Sequence, residues 1–184
     1  MSAAARRASL VQAMADSAAS GKSCASCVGT CCTAAANSMQ VTPLEALDLY
    51  SFLKDAGRLD DHLVQRLQET VRRYRLDHEL PGDGRRTFLR RTYTCPFHTP
   101  GPHGCSVAAA AKPYGCLGFN PQQVGVTSGG ACATDVQVQE AHAQRRATEQ
   151  VRNEQLRGTF GLAWERRSIP VALLDLLKGA NRQA

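Results

Sequence analysis

The chain has 184 residues, 22 Lys and Arg against 16 Asp and Glu, a formal charge of +6, and eight cysteines. A chain of this length buries roughly 70% of its unfolded surface, so one domain over 1–184 is expected and no disulfide is needed for a core. Hydrophobic content of 43% with 21% charged residues excludes wholesale disorder, and apolar runs such as Val107–Ala111 fall far short of the ~18 residues of a membrane span.

Residues 1–23 are rich in Ala and Ser and carry Arg6-Arg7, but Gln12 and Asp16 interrupt any apolar stretch. They read as a solvent-exposed helix rather than an export signal. A cytoplasmic chain is therefore expected, in which thiols stay reduced. After the first cysteines, Thr42 with Glu45 forms a capping box, Pro43 suits a first helical position and Gly57 a stop. A second helix starts near Asp60, with Leu63, Leu67, Val71 and Tyr74 inside and Arg66, Glu69, Arg72 and Arg73 outside. Pro81, Gly82 and Gly84 break the chain, and Thr87–Thr94 alternates like a short strand running into Cys95. Between Cys95 and Cys132 lie five of the eight prolines and seven of the fifteen glycines, which leaves little regular structure. A long polar helix over about 135–156 and a short apolar one after Ser168, with Ile169, Leu173, Leu176 and Leu177 on one face, complete the chain. The fold expected is mainly α, a small helical domain with a loop-rich, metal-organised centre.

The cysteines are unevenly placed. Cys24, Cys27, Cys31 and Cys32 lie within nine residues; Cys95, Cys105, Cys116 and Cys132 span the loop-rich stretch. Core filler would follow the helical period, and these do not. A C-x2-C turn aims two thiolates at one ion, and a third cysteine four residues on adds a corner of a tetrahedral or cubane site. Side chains of adjacent residues diverge, so Cys31 and Cys32 are expected to face different sites, the second completed from the 95–132 loop. Metal binding would also order that loop, because its free energy becomes folding free energy.

Cys24-x2-Cys27-x3-Cys31-Cys32, then Cys95-Pro96-Phe97, Gly104-Cys105-Ser106-Val107 and Lys112-Pro113-Tyr114-Gly115-Cys116 with Phe119 and Pro121, resemble the successive motifs of the YkgJ-type cysteine-cluster family. The resemblance covers about residues 20–135 and implies a zinc- or iron-chelating region. Ala108, Lys112 and Leu117 stand where that family has Tyr, Arg and Arg, and the stretch from Cys105 to Pro113 is one residue longer. The expected ligands are Cys24, Cys27, Cys31, Cys32, Cys95, Cys105 and Cys116, with Cys132 as the eighth.

Zinc would use four thiolates, or three with His103 or His98. All-thiolate ligation and Cys95-Pro96 point instead to a [4Fe-4S] cluster, as do the flagellin lysine methylase members that the resemblance brings with it. The function expected is structural or electron-transferring. The rival class is a metal-stabilised module for a protein partner. Methyl transfer lacks a clear glycine-rich turn after a strand, Val124–Gly130 being the nearest stretch, and a dithiol redox pair at Cys24 and Cys27 lacks the preceding strand. The six arginine pairs sit in different elements with 5% aromatics. They are read as solvated faces, against a nucleic-acid partner.

Overall fold

The computed structural model describes residues 1–23, 29–78, 90–100, 104–125, 132–134 and 136–181. The protein is mainly helical. Helix α1 (Ala3–Ala19) begins at Ser2, whose Oγ accepts the Ala5 amide hydrogen at 3.2 Å. It is exposed over most of its length, as its composition suggests, but Arg7 and Leu10 are buried, and Leu10 packs on Tyr114 and Leu117.

Helix α2 (Pro43–Asp55) follows the expected capping box, with Thr42 accepting from the Glu45 amide and Glu45 accepting from the Thr42 amide, and Gly57 follows at φ +62. Helix α3 (Asp61–Tyr74) starts after Asp60, whose carboxylate accepts the Leu63 amide hydrogen at 2.7 Å. Its Leu63 and Leu67 are buried while Arg66, Glu69, Arg72 and Arg73 are exposed, as the helical period requires. A short helix α4 (Tyr114–Leu117), the long polar α5 (Val136–Phe160) and α6 (Ile169–Asn181) follow.

Helices α2, α3 and α6 enclose the main core, where Leu49, Leu53, Leu63, Leu67, Leu173 and Leu176 meet Trp164. The indole N–H of Trp164 donates to Asp175 at 3.0 Å, so its polar edge is satisfied. Strand β1 (Gln40–Val41) pairs antiparallel with β4 (Arg167–Ser168), tying the start of α2 to the start of α6. A second ribbon pairs β2 (Phe119–Pro121) with β3 (Cys132–Thr134).

The strand expected over Thr87–Thr94 is absent from its described part, residues 90–94. Those residues are held instead by single bonds to another loop. Tyr93 donates its amide to the Asn37 carbonyl at 2.9 Å, and the Asn37 side-chain amide returns a bond to the Tyr93 carbonyl at 2.9 Å. The alternation read as a strand reflects one fully buried side chain, Tyr93, whose hydroxyl donates to the Met39 carbonyl at 2.6 Å. Among the described residues no helix is long and apolar enough to cross a membrane.

Candidate metal centre

Backbone bonding draws three distant cysteine segments together. Residues Thr30–Cys32 form a 3₁₀ turn entered through Gly29 at φ +75. The Cys32 carbonyl accepts the Cys95 amide hydrogen at 2.8 Å, which sets the first cluster beside the second. Residues 97–99 pair with 104–106: the Phe97 carbonyl accepts from Ser106 at 3.0 Å, and His98 bridges to Cys105. Arg58 grips this turn through the Ser106 carbonyl at 2.7 Å and hydroxyl at 2.9 Å. The two loops touch at paired glycines. A Cβ on Gly104 (φ +44) would lie 3.1 Å from the Gly29 Cα, and one on Gly29 would lie 2.9 Å from His98 Nε2. Both the positive φ values and the close approach call for glycine.

Cys116 arrives by a different route. The buried Glu45 carboxylate caps α2 through one oxygen, 3.0 Å from the Thr42 amide nitrogen, and accepts the Tyr114 amide hydrogen through the other at 2.8 Å. One side chain thus fixes both the start of α2 and the turn that presents Cys116.

The result is a cavity of about 710 Å³ lined by Cys31, Cys32, Cys95, Cys105 and Cys116, with Val11, Met14, Ala15 and Ala18 of α1 on its wall. The adjacent Cys31 and Cys32, expected to serve different metals or different roles, both line this one cavity. The tight 3₁₀ turn sets both on the same cavity, with the Cys32 thiol donating to Cys31. Cys132 lies in β3 opposite Pro121 and does not reach the lining. The His98 ring packs against Gly29 and is likewise absent from the lining. Cys24, Cys27 and His103 lie outside the described residues. Cys31, Cys32, Cys95, Cys105 and Cys116 are free thiols.

The hydrogen bond from Cys32 lowers Cys31 to about 7, helped by the nearby Lys112 charge. Donating that bond, together with burial, raises Cys32. Burial pushes Cys95 up to about 12, with Cys105 and Cys31 adding to it. Cys116 is raised well above the ordinary thiol range by burial, then by Cys95 and Cys105. Thiols such as Cys95 and Cys116, whose ionisation burial opposes first and neighbouring cysteines second, suit a cation, which replaces their protons. The donor set is that of a soft metal or an iron–sulfur cluster. Among the described residues no three His, Cys, Asp or Glu side chains are grouped as a finished metal site.

The wall formed by α1 is fastened by charges that the sequence reading assigned to solvent. Arg7 is fully buried. It donates to Asp48 at 2.7 Å and to the Lys112 carbonyl at 2.6 Å, and its guanidinium lies 4.8 Å over the Tyr114 ring. Arg6 bonds the other Asp48 oxygen and faces Glu149 at 3.6 Å. The Tyr114 hydroxyl donates to Glu149 at 2.6 Å, and burial followed by that carboxylate raises its ionisation above the usual range. Adjacent arginines diverge around a helix, yet here one carboxylate between them bonds both, while Arg6 Nε and Arg7 Nη2 are buried with no hydrogen-bond partner among the described residues. Arg167 is buried as well, whereas Arg72 and Arg73 are solvated as expected. The missed signal was Asp48 itself, an acidic residue among the apolar positions of α2 with no cation at helical spacing inside. No protein-family model, no curated protein and no solved structure matches this chain.

Proposed function

We propose that this chain is a cysteine-cluster metalloprotein whose thiols hold an iron–sulfur cluster, [4Fe-4S] in preference to zinc, in the cytoplasm. The carrying observation is that Cys31, Cys32, Cys95, Cys105 and Cys116, from three separate segments, line one cavity. The spacing of Cys24 and Cys27 and the resemblance to the YkgJ-type motifs add two ligands beside Cys31. The position of His98 outside the lining favours all-thiolate ligation over a mixed zinc site. The role that follows is to order the central loops, as a structural site does, or to carry an electron when the group is a cluster.

Anaerobic purification followed by absorption spectroscopy and iron, sulfide and zinc analysis tests this. Iron with equimolar sulfide and a broad visible absorption is the expected result. A colourless protein with stoichiometric zinc overturns the iron–sulfur reading. A metal-free protein with its thiols oxidised overturns the metal site. Cys27→Ser and Cys116→Ser should each lower metal content and thermal stability together.

A further inference from the structure

Helix α1 is fastened at one end. Over residues 6–10, Arg6 and Arg7 bond Asp48, Arg7 bonds the Lys112 carbonyl, Ser9 accepts from Arg145, and Leu10 packs on Tyr114 and Leu117. Beyond Leu10 that hold stops. Among the described residues the hydrogen bonds of residues 11–19 stay inside the helix and the turn that ends it, as in Gln12 to Asp16 and the Ser17 hydroxyl to the Lys22 carbonyl. The main core, among the described residues, takes no side chain from α1, and Val11 and Met14 are half-buried against the small cluster around Leu10. Just past the helix, Gly21 sits beside Val124, itself exposed.

The same stretch walls the thiols. Val11, Met14, Ala15 and Ala18 line the cavity with the five cysteines, yet Ala15 and Ala18 are exposed, so these residues stand between the thiols and solvent. The cysteine segments are bonded to one another and to α2, through the Cys32 carbonyl to Cys95 and the Tyr114 amide to Glu45. Residues 11–19 are therefore a part of the wall that can swing out without breaking a hydrogen bond between elements. Segments with few buried apolar contacts open at a fraction of the global unfolding free energy, and half of a 17-residue helix has little stability of its own in water.

We propose that the second half of α1, residues 11–19, is a flap pivoting on the Arg6–Leu10 anchor, and that its opening admits and releases the metal held by the cysteines. The metal as cargo rests on the metal reading; the flap does not. The full-length protein as purified serves for the test, with its metal content assayed. Amide hydrogen exchange over residues 14–19 against 7–10 reports the opening. Access to the thiols is read as transfer of bound metal to excess chelator or, in a metal-free sample, as maleimide labelling of Cys116 located by mass spectrometry. Ala13→Gly loosens the helix at an exposed position off the cavity lining, Met14→Ala removes a side chain that lines it, and Ala147→Gly places the same helical loss at an exposed position of α5. Faster exchange over 14–19 than over 7–10 is expected. Ala13→Gly should speed that exchange and thiol access alike, by about fivefold, Met14→Ala should speed thiol access too, and Ala147→Gly should change neither. Thiol access unmoved in both α1 variants, or moved as much by Ala147→Gly, overturns the proposal, as does exchange over 14–19 no faster than over 7–10. A metal-free sample whose labelling follows the expected pattern leaves the flap standing and removes only the metal as its cargo.

Discussion

Asp48→Asn isolates the clamp that holds α1 over the cavity. In the native protein one carboxylate serves two guanidinium groups, one of them fully buried. Asparagine keeps the shape and one acceptor oxygen but removes the charge. Arg7 is then left with the carbonyls of Ala3 and Lys112 and with the Tyr114 ring, while Arg6 keeps the Met1 carbonyl at 2.6 Å and Glu149 at 3.6 Å. Breaking a buried pair by removing one partner costs about 3–5 kcal/mol. The surviving carbonyl bonds argue for the lower end, about 3 kcal/mol. That is a large part of the ~5–15 kcal/mol available to a domain, and it corresponds to a fall in Tm of roughly 6–12 °C at this chain length. Urea denaturation followed by far-UV circular dichroism reads the change, with an unaltered m-value showing that the unfolded state is unaffected. A cycle with Arg7→Met should show coupling above about 1 kcal/mol. The reasoning fails if Asp48→Asn costs less than about 1 kcal/mol, or if the two substitutions are additive within ~0.5 kcal/mol.

Glu45→Gln retains one acceptor toward the Thr42 or Tyr114 amide but not a charged carboxylate toward both, and should cost about 1–3 kcal/mol; Cys116 should at the same time become more reactive to a maleimide, and unchanged reactivity would count against its positioning by Glu45. Gly104→Ala adds a Cβ 3.1 Å from the Gly29 Cα at a positive φ and should lower Tm by several degrees, whereas the open Gly125, also at positive φ, should show only its backbone strain when changed to Ala. Because the folded state raises Tyr114 above its ordinary value of 10.0, its contribution to stability is whole below about pH 10 and is lost as pH climbs beyond that. Tyr114→Phe should therefore flatten the alkaline limb of a stability-against-pH curve, and an unchanged limb would refute the linkage. Cys132→Ser should reduce metal content less than Cys116→Ser, and equal losses would make Cys132 a ligand.

The helical frame was legible because its signals are local. The box formed by Thr42 and Glu45, the Asp60 cap and the Leu63–Leu67 spacing each involve residues within one or two turns. The thiol pattern was legible as a pattern, since cysteines packed so closely serve few other purposes. What the wall of the cavity carries was not. Lys22, Arg90, Lys112 and Arg166 converge only after β1 meets β4 and the 32–37 loop meets 93–95. Nothing in the run Arg166-Arg167 distinguishes the arginine that faces the cavity from the one that is buried. That adjacent Cys31 and Cys32 both line one cavity was not legible, because it depends on the 3₁₀ turn of three residues that carries them.

The reach of α1 across the chain also sets an order of events during synthesis. Its partners lie 41 residues away at Asp48, 105 away at Lys112 and, through Ser9 and Arg145, 136 away. A 17-residue helix is marginal on its own in water. At a translation rate of ~5–20 residues per second, Arg145 emerges roughly 7–27 s after Ser9. Helix α1 leaves the ribosome before these partners and is fully fastened only once Arg145 has followed. Through that interval the cysteine loops assemble without their N-terminal cover, and whatever enters the cavity can do so before the last wall is fastened.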